Sequence, residues 1–245
     1  MDTTHFVLLF LAVGLIAFLY SSVGHAGASG YIATMTLFGL APTVIRPTAL
    51  VLNILVASIG TFQFWRAGHF SWKLFWPFAL LSIPAAYVGG YIQPSASVLR
   101  TLIGVVLLFS AARLVFRRSD PPRTVPPSQP VAIGVGAGLG FLSGLTGTGG
   151  GIFLTPLLLF RQWAPIRQAA AVSALFIWVN SIAGLVGYFT KVHSIPSLGL
   201  ILAAAAIIGG IAGSSLGSRH LAVRVISLFL ATVLLIAGMK LIFTR

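Results

Sequence analysis

Gly144-Leu145-Thr146-Gly147-Thr148-Gly149-Gly150-Gly151 sets five glycines within eight residues, between an apolar run from Val131 to Leu142 and a shorter one from Ile152 to Phe160. Glycine costs about 1 kcal/mol relative to alanine at each helical position, so a helix is expected to break here. In lipid, a broken backbone persists only where protein buries it or where it lines a cavity. A second stretch reads the same way: Gly24-His25-Ala26-Gly27-Ala28-Ser29-Gly30 lies between the runs Phe6 to Tyr20 and Tyr31 to Leu40. Overlaid, Gly24, Gly27 and Gly30 fall on Gly144, Gly147 and Gly150. The two breaks are expected to face each other and form a binding site of the kind transporters use.

The flanking sequence repeats with them. After the first short run come Pro42 and Arg46, then long helices at about 44–66, 71–92 and 97–116. After the second come Pro165 and Arg167, then helices at about 166–189, 196–217 and 222–243. Ala41-Pro42 matches Ala164-Pro165, Ile45-Arg46 matches Ile166-Arg167, His69 matches His193, and the offset drifts only from 120 to 124. Prolines and charges between the halves cannot continue a helix or enter lipid. The chain therefore divides into a first transmembrane repeat at 1–116, a Pro/Arg-rich linker at 117–129 and a second transmembrane repeat at 130–245. The run Phe6 to Tyr20 lacks the basic leader of a signal peptide and has a counterpart in the second half, so it reads as mature structure.

Composition fixes the class. The chain is 58% hydrophobic and 7% charged, and several runs reach the ~20 residues that cross a bilayer. The net charge of +13 is spread over loop ends and helix termini, the pattern of topology signals and snorkelling side chains rather than of a nucleic-acid patch. Asp2 and Asp120 are the only carboxylates, and neither lies in a spanning run. Cation carriers usually rest on intramembrane carboxylates, so an anionic or neutral solute is favoured. Cysteine is absent, which removes thiol chemistry and thiolate metal sites and leaves the redox compartment unreadable. No metal or other cofactor is implied.

Charge also bears on orientation. With the linker inside, Arg66, Lys73, Arg117, Arg118, Arg123, Arg161, Arg167, Arg219 and Arg224 are cytoplasmic, and Arg46, Arg100, Lys191, Lys240 and Arg245 are outside. This requires an odd number of crossings per half and inverted copies. The expected fold is an all-α polytopic membrane protein of two inverted-topology repeats, each with a Gly-broken (re-entrant or discontinuous) helix unit plus three long transmembrane helices. Trp65, Trp72 and Trp76 read as an interfacial belt. Gly209, Gly213 and Gly217, and Gly134 with Gly138, have the four-residue spacing of close helix packing.

For chemistry, a short helix that starts at a break directs unpaired N–H groups and its positive dipole end toward the break. Backbone amides at Gly27, Ala28, Ser29 and Gly30 and at Gly147, Thr148, Gly149 and Gly150 are the candidate anion donors, with Gly24 admitting close approach. The side chains of Thr146, Thr148, Ser29, Ser22 and His25 would assist. His25 either contacts the anion, carries a compensating proton, or is a neutral histidine bonded to a loop carbonyl. Arg46 and Arg167 read as equivalent residues that snorkel to headgroups or, in the sharper version, attract anions to a vestibule. Asn53 and Asn180 rank as secondary candidates that could equally tie helices together, as could Gln63, Ser58, Ser173 and Ser181. The bland alternative for both glycine stretches is tight helix crossing.

An enzyme reading starts from Gly27-Ala28-Ser29-Gly30, which is similar to the Gly-x-Ser-Gly pattern of rhomboid proteases. The counterpart of Ser29 is Gly149, however, and duplication accounts for the glycines without catalysis. A phosphate-binding loop fails for want of the following Lys-Ser/Thr.

The stretch Ser143-Gly144-Leu145-Thr146-Gly147-Thr148-Gly149-Gly150-Gly151-Ile152-Phe153-Leu154-Thr155-Pro156-Leu157, with Gly24 through Ile32 in the first half, resembles the sulfite exporter TauE/SafE family of bacterial membrane transporters. The resemblance implies movement of a small sulfur-containing anion (sulfite, sulfoacetate or another organosulfonate). The first half departs from the pattern, with Ala28, Ser29 and Tyr31 where the second half has Thr148, Gly149 and Gly151. Together these readings give a secondary transporter of the inner membrane working by alternating access and not an enzyme. Its linker would be cytoplasmic and both termini periplasmic. Its partners would be the anion and the bilayer, with a homo-oligomer left open. The alternatives are a passive anion channel and an intramembrane serine protease.

Overall fold

The computed structural model describes residues 3–22, 26–115, 123–192, 197–217 and 223–243. Ten helices account for nearly all of them: α1 Thr3–Ser22, α2 Ala28–Leu37, α3 Pro42–Arg66, α4 Trp72–Tyr91, α5 Ala96–Val115, α6 Gln129–Thr146, α7 Gly151–Phe160, α8 Ile166–Lys191, α9 Ser197–Gly217 and α10 Val223–Phe243. The protein is an all-helical polytopic membrane protein. Among the described residues, six helices are long and apolar enough to cross a bilayer. Leu8, Leu11, Phe62, Leu80, Phe109 and Ile208 lie exposed on the exterior, whereas Asn53, Ser143, Thr148, Asn180 and Ser181 are buried. That is the arrangement lipid demands. Trp65 and Trp72 are also exposed and form a cluster with Phe70 and Phe75 at the α3–α4 turn.

Helices α3 and α8 pack against each other at the centre. Around them, α4 lies on α6 and α8, α1 lies on α9, and α5 lies on α10. Glycine sets the closest crossings. On α6, Gly136, Gly140 and Gly144 meet in order the backbones of Phe78, Ser82 and Ala86, so α4 and α6 run parallel in contact too close for a side chain. On α9, Gly209 and Gly213 meet Gly14 and Phe18 of α1, again in parallel. The expectation for Gly209 and Gly213 therefore holds. That for Gly134 and Gly138 is corrected: nothing lies within 4 Å of the place where a side chain would begin on either.

The short helices, about 15 Å long at 1.5 Å per residue, reach only half-way through the hydrocarbon. Their ends share one hydrogen-bond pattern. Phe38, Gly39 and Leu40 donate to the carbonyls of Thr34, Thr36 and Met35; Arg161, Gln162 and Trp163 donate to those of Leu157, Leu159 and Leu158. Residue for residue, this is an offset of 123. Gly39 and Gln162 both have positive φ, at 78° and 57°. Lys240 near the end of α10 donates to the carbonyls of Thr36 and Leu37, both at 3.1 Å, and so closes the end of α2. The linker is pinned to the end of α7 by the Val125 N–H on the Gln162 carbonyl at 2.9 Å. Residues 123–128 of the linker are non-helical, and Gln129 already belongs to α6. His193 and the linker residues before Arg123 lie outside the described residues.

Candidate functional site

The second glycine stretch is a four-residue break between α6 and α7. Gly144 and Thr146 still belong to the last turn of α6, and Gly151 already opens α7. Gly147, at φ 80°, caps α6 by donating to the Ser143 carbonyl at 2.9 Å. Gly149 at φ 72° and Gly150 at φ 78° complete the turn, and Gly150 caps α7. Left-handed backbone costs a side-chain-bearing residue about 1–2 kcal/mol, which accounts for the run of glycines. Space accounts for it as well. A methyl group on Gly149 would lie 2.7 Å from Ile177 Cγ2 and 3.0 Å from both Asn53 Nδ2 and Ser181 Oγ. One on Gly150 would lie 2.8 Å from Phe176 Cε1.

The break is enclosed in polar protein. Asn53 of α3 donates its amide to the Gly147 carbonyl at 3.4 Å. The Thr146 hydroxyl donates to the Leu142 carbonyl at 2.7 Å and lies 3.0 Å from the Thr148 hydroxyl. Asn180 of α8 donates to the Phe176 carbonyl at 2.8 Å. Asn180 sits one turn from Phe176, which touches Gly150, and one turn from Gly184, which touches Gly144, so it shares their face. Four buried atoms around this break have no hydrogen-bond partner: Asn53 Oδ1, Asn180 Oδ1, Ser143 Oγ and Ser181 Oγ. Each such group costs about 1–3 kcal/mol when left unmet, and native proteins keep few of them. Their grouping makes this break the candidate site.

The first stretch is arranged differently. Gly27, at φ 94°, caps α2 and accepts from the Tyr31 N–H at 3.0 Å. Ala28, Ser29 and Gly30 form the first turn of α2 and are not part of the break. The Ser29 hydroxyl is bonded to the Tyr20 hydroxyl at 2.7 Å, and Gly30 is pressed against Ile16 and Tyr20. The phenol of Tyr31 is buried without a partner, and its oxygen lies 2.9 Å from where a methyl on Gly27 would sit. Gly24 and His25 lie outside the described residues, as does the side chain of Ser22, the last residue of α1.

Two readings from sequence are corrected here. By cap geometry Gly27 corresponds to Gly150, not Gly147, because the 123-residue offset of the short helices already applies at their caps. Arg46 and Arg167 are likewise not equivalent. Arg167 is exposed, while Arg46 is 1% exposed and does not snorkel. Its Nε donates to the Gly144 carbonyl at 3.0 Å, Nη1 to Ile92 at 2.9 Å, and Nη2 to Gly89 and Gly90, both at 2.6 Å. The guanidinium also lies 5.7 Å from the Tyr188 ring centre. It thus ties the end of α4 to the end of α6, using helix-terminal carbonyls that lack intrahelical partners.

The structure brings Asn53, Asn180 and Arg46 to the second stretch. The end of α1 nears α3 by way of α9: a side chain on Gly210 would begin 3.4 Å from Val56 and 3.6 Å from the Ser21 hydroxyl. Asn53 and Val56 are less than one helical turn apart on α3. Tyr20, Tyr31 and Ser143 lie beside the glycine stretches and were not among the candidates from sequence. A tyrosine or serine beside a glycine stretch in an apolar run was the available signal. Among the described residues, no group of three or more metal-ligating side chains occurs.

A model of the family described as sulfite exporter TauE/SafE matches residues 9–241. The chain belongs to this family. Its relatives include a probable membrane transporter protein, y4hK, of Sinorhizobium fredii, 40% identical over 95% of this chain and 96% of the relative. Another is the probable membrane transporter protein YjnA of Bacillus subtilis, 26% identical over 89% of this chain and 92% of the relative. No solved structure matches. As a TauE/SafE member the chain is a membrane transporter.

Proposed function

We propose that this TauE/SafE protein is a secondary transporter that moves a small sulfur-containing anion (sulfite, sulfoacetate or another organosulfonate) across the bacterial inner membrane by alternating access. The observation that carries the reading is the buried Gly147–Gly150 segment, left-handed at its three glycines, with four unpartnered polar atoms packed around it. Its first amides, at the positive end of α7, suit an oxyanion. The absence of any carboxylate in the spanning helices agrees with a negative solute. Arg46, the only buried charged side chain among the described residues, adds positive potential one turn from the break.

The halves would be inverted. Helix α6 parallel to α4, the linker at the end of α7 and Lys240 at the end of α2 support a scheme in which each glycine hairpin enters and leaves by its own face. Rocking of one half on the other would open the site to each side. The linker would be cytoplasmic and both termini periplasmic. Transport is favoured over proteolysis because, among the described residues, the Ser29 hydroxyl is bonded to a phenol and not poised by a base.

Purified protein in proteoliposomes, offered sulfite, sulfoacetate, taurine and sulfate side by side, tests the reading. Saturable uptake of sulfite or a sulfonate is expected. Uptake of none of them, or uptake confined to sulfate, would overturn it.

A further inference from the structure

The orientation of two buried amides limits what the site can hold. The amides of Asn53 and Asn180 are hydrogen-bonded to the backbone carbonyls of Gly147 and Phe176, at 3.4 Å and 2.8 Å. A carbonyl oxygen only accepts, so each amide must turn its nitrogen toward it. Both Oδ1 atoms then face away as acceptors, fully buried and unpartnered. An anion of bare oxygens cannot satisfy them, since it too only accepts.

The break therefore offers two kinds of contact. The leading amides of α7 and the hydroxyls of Ser143 and Ser181 can donate to an oxyanion. Asn53 Oδ1 and Asn180 Oδ1 can only accept, so a solute meets them with a hydrogen of its own. The charged group that could substitute, Arg46, has its Nε, Nη1 and Nη2 engaged on four carbonyls.

We propose that the site selects anions that carry an O–H or N–H donor beside the sulfur oxyanion, and discriminates against anions of equal charge and size that lack one. Hydrogensulfite, hydroxysulfonates and aminosulfonates meet the requirement. Alkylsulfonates and fully deprotonated sulfate do not. This rests on the transport reading above and narrows its substrate class. A solute without the donor leaves a buried acceptor unmet, a penalty that gives roughly tenfold discrimination or more.

The test is competition at one pH between hydroxyethanesulfonate and propanesulfonate, which differ by a hydroxyl against a methyl, for uptake of labelled sulfite into proteoliposomes. In the unaltered protein hydroxyethanesulfonate is expected to inhibit at about tenfold lower concentration. In Asn53→Leu and Asn180→Leu the ratio should fall toward one. Equal inhibition by the two compounds in the unaltered protein, with sulfite uptake still saturable, would overturn the donor requirement and leave anion transport standing. A ratio unchanged in both variants would overturn the assignment to these amides. No saturable uptake of any of the anions would overturn both this inference and the reading beneath it.

Discussion

Arg46 holds the densest set of contacts near the site. Its guanidinium meets no carboxylate and is satisfied by four carbonyls on the last turns of α4 and α6. Hydrogen bonds to a charged group contribute about 1.5–3 kcal/mol each, so Arg46→Met is expected to lower the thermal midpoint in detergent sharply. Arg46→Lys should recover only part of the loss, because an ammonium has three donors and no planar fork. A midpoint unchanged in Arg46→Met would show that the carbonyl cluster does not hold the two helix ends together. Arg46 and Arg167 read alike in the sequence because each is an arginine just past a proline. What separates them is a two-residue difference in distance from that proline, about 200° of helical turn, which directs one inward and the other out. The glycines at the second break were legible because left-handed backbone has few other tenants. The engagement of Ser29 by Tyr20 was not, because it depends on how α1 folds back on α2.

At the level of the helix, α6 carries two interleaved glycine series at four-residue spacing. Gly136, Gly140 and Gly144 touch α4, while Gly134 and Gly138 face open space. Spacing identifies a packing face only once the direction of the neighbour is known, and hydropathy in an all-apolar helix does not supply it. Gly140→Ala is expected to destabilise by about 1–3 kcal/mol, as overpacking does, seen as a lower midpoint and loss of monodisperse protein. Gly134→Ala should be neutral or stabilising by up to about 1 kcal/mol, the helix propensity difference. Equal effects from the two would contradict the packing described. Helix number and type were legible from hydrophobic length and glycine breaks alone. The register of the short helices was not, because three-residue glycine periodicity allows overlays at both 120 and 123.

For the whole molecule, the absence of cysteine makes single-cysteine labelling clean. Ala67, Ser128, Thr43 and Ser95 are all exposed. If the halves are inverted as proposed, Ala67→Cys and Ser128→Cys label from the cytoplasmic side and Thr43→Cys and Ser95→Cys from the other. Labelling of Ser128→Cys and Ser95→Cys from one side would contradict that arrangement. The central claim, a carrier that alternates about the glycine breaks, is tested most directly by counterflow. Proteoliposomes loaded with unlabelled sulfite should take up labelled sulfite transiently above equilibrium, with a rate that saturates. Flux that rises linearly with concentration and shows no stimulation by the trapped anion would contradict it.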